Sequence, residues 1–169
     1  AEAWKNYPLK AKLKGTTFTL RGMVPDDAES LQAFARELPP HDLLFMRRDI
    51  TKPEGIARWI DAVRRGAMYT VLCEDDHGIA GYSSLHLTEL DWSAHVADLR
   101  VATAERARGA GLGRLLTREA FNMALALGVE KVVARMTPDQ QGARALFQEL
   151  GFQPEALLKD EVKDRQGEY

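Results

Sequence analysis

A chain of 169 residues, 45% hydrophobic and 28% charged, has the size and balance of a single domain with a substantial core. It contains no run of about 18 apolar residues to span a bilayer, and a net charge of −2 gives no basic field to attract nucleic acid, so neither partner is expected. Its one cysteine, Cys73, excludes an internal disulfide and, inside the apolar run "YTVLCE", reads as a buried inert thiol in a reducing, cytoplasmic setting. No signal peptide is visible at the N-terminus.

The first element predicted is a strand over 16–24, "TTFTLRGMV", which alternates and is rich in β-branched residues. A helix follows from Pro25, with Asp26 and Asp27 opposing the dipole, an apolar stripe of Ala28, Leu31, Ala35 and Leu38, and a stop at Pro39-Pro40. A second helix, 53–66, carries Ile56, Trp59, Ile60 and Val63 at helical spacing. The period then changes to two. Residues 68–75 and 79–87 flank "DHG" as a hairpin, and "HVADLRVAT" (95–103) is a third strand of the meander. Leu112, Leu116, Ala120, Met123 and Leu127 make a helix ended by Gly128. A strand over 129–136, a helix over 140–150 closed by Gly151, and a last strand over 155–164 complete the pattern. The order is β-α-α-β-β-β-α-β-α-β, an α/β fold of α+β type with a mixed, mostly antiparallel central sheet flanked by helices.

Between the 95–103 strand and the next helix stands "RARGAGLGR" (106–114). A strand, a glycine-rich turn and a helix start together make an anion site. The first helical N–H groups lack internal partners, the dipole adds positive charge, and glycines let several amides converge on one phosphate. The alternatives are a linker, excluded by the amphipathic elements on both sides, and a helix start whose glycines serve only close packing. A dinucleotide G-x-G-x-x-G would need glycine where Arg114 stands, and no lysine follows for a P-loop. What is present is R-x-x-G-x-G, carried by Arg108, Gly111 and Gly113.

That pattern resembles the acyl-coenzyme A signature of the GNAT superfamily of N-acetyltransferases. So does the element order, and "LFQELGF" (146–152) is similar to the "LYEKLGF"-like end of that family's last helix. The resemblance spans roughly residues 16–160, within a single acetyltransferase domain of 1–169. It implies transfer of an acetyl group from acetyl-CoA, without a metal, to a primary amine on a small molecule, protein or peptide, by a monomer or homodimer. The pyrophosphate would lie on the amides of Arg108, Gly109, Ala110, Gly111, Leu112, Gly113 and Arg114. The pantetheine arm would pair with the strand before the loop, at Leu99, Val101, Ala102 and Thr103, one of whose N–H groups would polarise the thioester carbonyl. Arg106, Arg114 or Arg118 would meet the further phosphate, unless they are plain solvated arginines.

The resemblance also implies a base on the third or fourth strand. His86, Glu89, Asp91, His95 and Asp98 are the polar residues there, with Glu89, His95 and Asp98 the leading choices; His95 carries an imidazole, the side chain most often used as a general base, but equally suits a turn cap. Where the family commonly has a tyrosine to protonate the thiolate this chain has Phe147, and where it often has an asparagine seven residues earlier it has Gln140. A rim of Trp59, Trp92, Glu89 and Asp91 would favour a cationic amine, unless both tryptophans are core. Phe147 keeps open a rival, a non-catalytic acyl-CoA-binding regulatory module. The chain ends in "VKDRQGEY", a strand starting to turn at Gln166-Gly167, so a final strand is expected to be missing, cut off or supplied by a partner chain.

Overall fold

The structure, a computed structural model, describes residues 2–43, 49–88, 90–135 and 141–154. Residues 9–22 alternate and fold back at Lys14 and Gly15, whose φ of 47° and 83° suit the tight turn that a right-twisted hairpin needs. This makes β1 (Leu9–Leu13) and β2 (Thr16–Gly22). A single turn at Pro25–Asp27 leads into α1 (Ala28–Glu37), and α2 (Pro53–Arg64) follows. Then come β3 (Met68–Asp75), β4 (Gly78–Leu87), β5 (Val96–Thr103), α3 (Leu112–Ala126), β6 (Lys131–Ala134) and α4 (Gln141–Glu149).

From β2 to α4 the order expected from the sequence is found, and the strand expected over 155–164 lies outside the described residues. β1 was not anticipated. It is short, and three of its five residues are lysine or alanine, so its β propensity is poor. Its alternation is nonetheless sound: Leu9, Ala11 and Leu13 are half-buried while Lys10 and Lys12 are exposed. Lysines on an edge strand also guard it against pairing with another chain.

The sheet runs in the order β1-β2-β3-β4-β5-β6. Each neighbour pair is antiparallel up to β5, and β5 with β6 is parallel because α3 carries the chain back across the sheet. One face, with Leu20, Val71, Cys73, Leu85, Ala97 and Leu99, packs against the Leu112–Leu116–Ala120–Met123 stripe of α3. Burying each such leucine contributes roughly 1.5–3 kcal/mol. The other face, with Met68, Leu72 and Tyr82, packs on Leu31, Phe34, Ile56, Trp59 and Ala62 of α1 and α2.

Two details tie these layers together. Trp59 is buried in the second layer, where its Nε1–H donates to Thr70 Oγ1 (2.9 Å), itself 2.5 Å from Ser84 Oγ. Gly81 of β4 lets α3 and β5 approach closely: a Cβ there would stand 2.8 Å from the Ala102 carbonyl and 3.0 Å from Leu116 Cδ1. Cys73 is fully buried, and burial, reinforced by Asp75 and Glu74, pushes its thiol up to about 12. It is an inert core residue. Among the described residues no helix is long and apolar enough to cross a membrane.

Candidate functional site

β5 pairs with β4 from Ala97–Leu87 to Thr103–Gly81, but with β6 only from Val96–Lys131 to Leu99–Ala134. The second half of β5 therefore runs on past its parallel neighbour. Two hydrogen bonds beyond the strand ends show which way its backbone points. The His95 carbonyl accepts from the Lys131 N–H (3.0 Å) on the β6 side, and the Ala104 N–H donates to the Ala80 carbonyl (2.7 Å) on the β4 side. Alternate residues point to opposite sides of a strand, so the N–H and C=O of Val101 and Thr103 point toward the side that β6 has left. Those of Ala102 point at β4, in register with Tyr82. Of the four residues expected to offer main-chain groups, Ala102 is thus committed to the sheet, and Leu99 is already in register with Ala134. The Thr103 carbonyl accepts from Arg108 Nη2 at 3.3 Å.

After β5 a single turn, Glu105–Ala107, swings the chain to the start of α3. Gly109 and Gly111 have φ of 82° and 87°, the left-handed region that L side chains rarely adopt, and a Cβ at either would meet nothing within 4 Å. Their role is conformational, and the space beside them is open, as a phosphate cradle requires. Gly113 differs: it is helical, and a Cβ there would make an ordinary 3.7 Å contact with Leu146 Cδ2. The first bond of α3 runs from the Leu115 N–H to the Gly111 carbonyl (3.1 Å), which leaves the N–H groups of Leu112, Gly113 and Arg114 without an acceptor inside the helix. The donors present suit an anion.

Three of the arginines around the glycines, Arg106, Arg108 and Arg114, are each held by a carboxylate. Arg106 donates to Asp75 and to the Ile79 carbonyl (3.1 Å) of the β3–β4 hairpin. Burial pushes the Asp75 carboxyl up, but hydrogen bonds from Arg106 and the His77 N–H outweigh this and leave it below its ordinary value. Arg108 donates to Asp42 in the turn after α1, tying the glycine loop to that segment. Arg114 donates to Glu149 of α4 at 2.6 Å. Arg118 is exposed and has no ion pair among the described residues. Lys14, from the β1–β2 turn, donates to the Gly109 carbonyl. The sequence reading had missed Lys14, Asp42 and Asp75; a lysine before a glycine in a hairpin turn was the one signal that could have pointed to the first.

The base candidates separate. His95 is exposed and precedes β5, with its carbonyl taken by the Glu130 and Lys131 N–H groups. Asp98 is half-buried on β5, on the α1/α2 face, directly opposite His86 of β4. Asp91 and Trp92 sit on the exposed β4–β5 connection, with Trp92 78% accessible, while Trp59 is core. The expected aromatic rim is not brought together. Glu89 and Gln140 lie outside the described residues. Phe147 is half-buried on α4 and packs edge-on against Phe152, ring centroids 4.9 Å apart.

The model of the acetyltransferase (GNAT) family matches residues 31–152. No curated protein matches the chain. Among solved structures, a GNAT-family acetyltransferase from Streptococcus pneumoniae has a TM-score of 0.76 at 23% identity, covering 90% of this chain and 94% of that one. Ribosomal-protein-alanine N-acetyltransferase from Brucella melitensis has 0.74 at 22%, covering 86% and 91%. Spermidine N-acetyltransferase from Vibrio cholerae, in complex with CoA and spermine, has 0.74 at 18%, covering 90% and 89%. At such identities the structural likeness is one of fold, and the family match over well over half the sequence supplies the assignment: this chain belongs to the GNAT family of acetyltransferases.

Proposed function

We propose that this chain moves an acetyl group from acetyl-CoA to a primary amine, as one domain working in the cytoplasm. The carrying observation is that the first-turn amides of α3 and the half of β5 beyond β6 lie at the same end of the sheet. Gly109, Gly111 and the amides of Leu112, Gly113 and Arg114 would hold the pyrophosphate, and Val101 with the Thr103 N–H would line the pantetheine arm. Acetyl-CoA supplies the activated acyl thioester.

An alkyl ammonium with a pKa near ~10.4 must lose a proton before it attacks. Asp98 serves as the base, with His86 opposite it across the β4–β5 pair, in the half of β5 that leads into the stretch beyond β6. Phe147 has no O–H, so the departing thiolate takes its proton from water or from the attacking amine. The same Phe147 favours a second reading, a regulatory module that binds acyl-CoA without turnover.

The acceptors to try are a lysine side chain, a protein N-terminus and a polyamine. The names of the Brucella and Vibrio proteins, for ribosomal-protein alanine and spermidine, supply two members of that panel. Incubation with acetyl-CoA and each amine, following free thiol, should show release above the hydrolysis background with at least one. Tight acetyl-CoA binding with no amine-dependent release would replace the enzyme by the binding module.

A further inference from the structure

We propose that Lys14 binds the phosphate groups of the coenzyme, an inference that rests on the acetyl-CoA reading above. Arg106, Arg108 and Arg114 surround the glycine loop, but Asp75, Asp42 and Glu149 neutralise them in turn. Lys14 is exposed and its ammonium donates to the Gly109 carbonyl, a neutral group that leaves its charge uncompensated. Among the described residues it makes no ion pair. An ammonium has three donors, and only one is spent on Gly109. It therefore brings both net charge and spare donors to the loop whose amides await an anion.

The backbone at this position is unusual for a lysine. Lys14 is the one non-glycine residue among those described with positive φ, at 47°. Turns of this kind favour asparagine or glycine there, and a lysine pays a conformational cost that a purely structural hairpin would avoid. Lys10 and Lys12 already guard the edge strand from the exposed face of β1. Lys14 instead reaches a loop 95 residues away in sequence.

The test measures binding of CoA, dephospho-CoA and a phosphate-free pantetheine thioester to wild type, Lys14→Asn and Lys14→Arg by calorimetry. Lys14→Asn suits the turn, so its melting temperature should hold or rise, while its affinity for CoA should fall roughly tenfold, the worth of a charge-assisted hydrogen bond. Its CoA binding should also become less sensitive to salt. Lys14→Arg should keep most of the affinity, and the phosphate-free thioester should bind all three alike. A loss seen with CoA but not dephospho-CoA assigns Lys14 to the 3′-phosphate, and an equal loss with both assigns it to the pyrophosphate. CoA binding by Lys14→Asn at wild-type strength, or an equal loss on the phosphate-free thioester, overturns the inference. Wild type that binds no CoA at all overturns the acetyl-CoA reading itself.

Discussion

The guanidinium of Arg106 is bound by the carboxylate of Asp75, 31 residues earlier, so the segment leaving β5 is clamped to the β3–β4 hairpin. Asp75 is almost entirely shielded, with its side chain 6% exposed, whereas Arg106 is 34% exposed. Because the Asp75 carboxyl is lowered in the folded state, its contribution to stability is present above the ordinary carboxylate pKa and disappears as pH falls through the folded value. Arg106→Met should cost on the order of 1 kcal/mol at neutral pH, with the gap to wild type closing below about pH 4. Denaturant melts across pH 2.5 to 7 check this. CoA affinity near wild type in the same variant would show that Arg106 serves the hairpin and not the phosphate.

The two ends of the glycine pattern should respond differently. Gly111→Val places a β-branched residue at φ 87°, a conformation costing about 1–2 kcal/mol even for simpler side chains, and should abolish measurable CoA binding. Gly113→Ala adds a methyl in ordinary contact with Leu146 and replaces a helical glycine, so its melting temperature should hold or rise. CoA binding that survives Gly111→Val would move the phosphate elsewhere.

Asp98→Asn should lower kcat/KM by roughly 10²–10⁴, without weakening CoA binding. His95→Gln should leave the rate near wild type, since that side chain is exposed ahead of β5. The reverse pattern would give the proton transfer to His95.

Gly81→Ala tests whether packing sets the site. Its Cβ would sit 2.8 Å from the Ala102 carbonyl and 3.0 Å from Leu116, so β5 or α3 must shift. Overpacking of this kind typically costs about 1–3 kcal/mol, and the displaced edge of β5 should weaken acetyl-CoA binding as well. A variant melting like wild type would mean that the sheet yields there without cost.

The elements around the loop were legible for local reasons. The Leu112, Leu116, Ala120 and Met123 stripe repeats with the helix, the β3–β4 hairpin alternates, and the left-handed positions carry the residue that tolerates them. β1 was less so, because five residues of leucine, lysine and alanine carry little strand preference until the Lys14–Gly15 turn lays them beside β2. The expected rim of Trp59, Trp92 and Asp91 failed for a similar reason: amphipathic spacing shows that Trp59 faces a core, but not that Thr70 waits inside to take its N–H.

Sequence alone was enough for strand alternation through β5, the helical period of α3 and the conformational freedom of Gly109 and Gly111, since each depends on neighbours within a turn or two of chain. Charge at the cradle follows another rule. Electrostatic attraction depends on separation in space, and the partners that meet there come from 31, 66, 35 and 95 residues away: Asp75 on Arg106, Asp42 on Arg108, Glu149 on Arg114, and Lys14 on the Gly109 carbonyl. Three arginines that stand beside the glycines in the chain are neutralised by folding, and a lysine that stands far from them in the chain is brought to them by it.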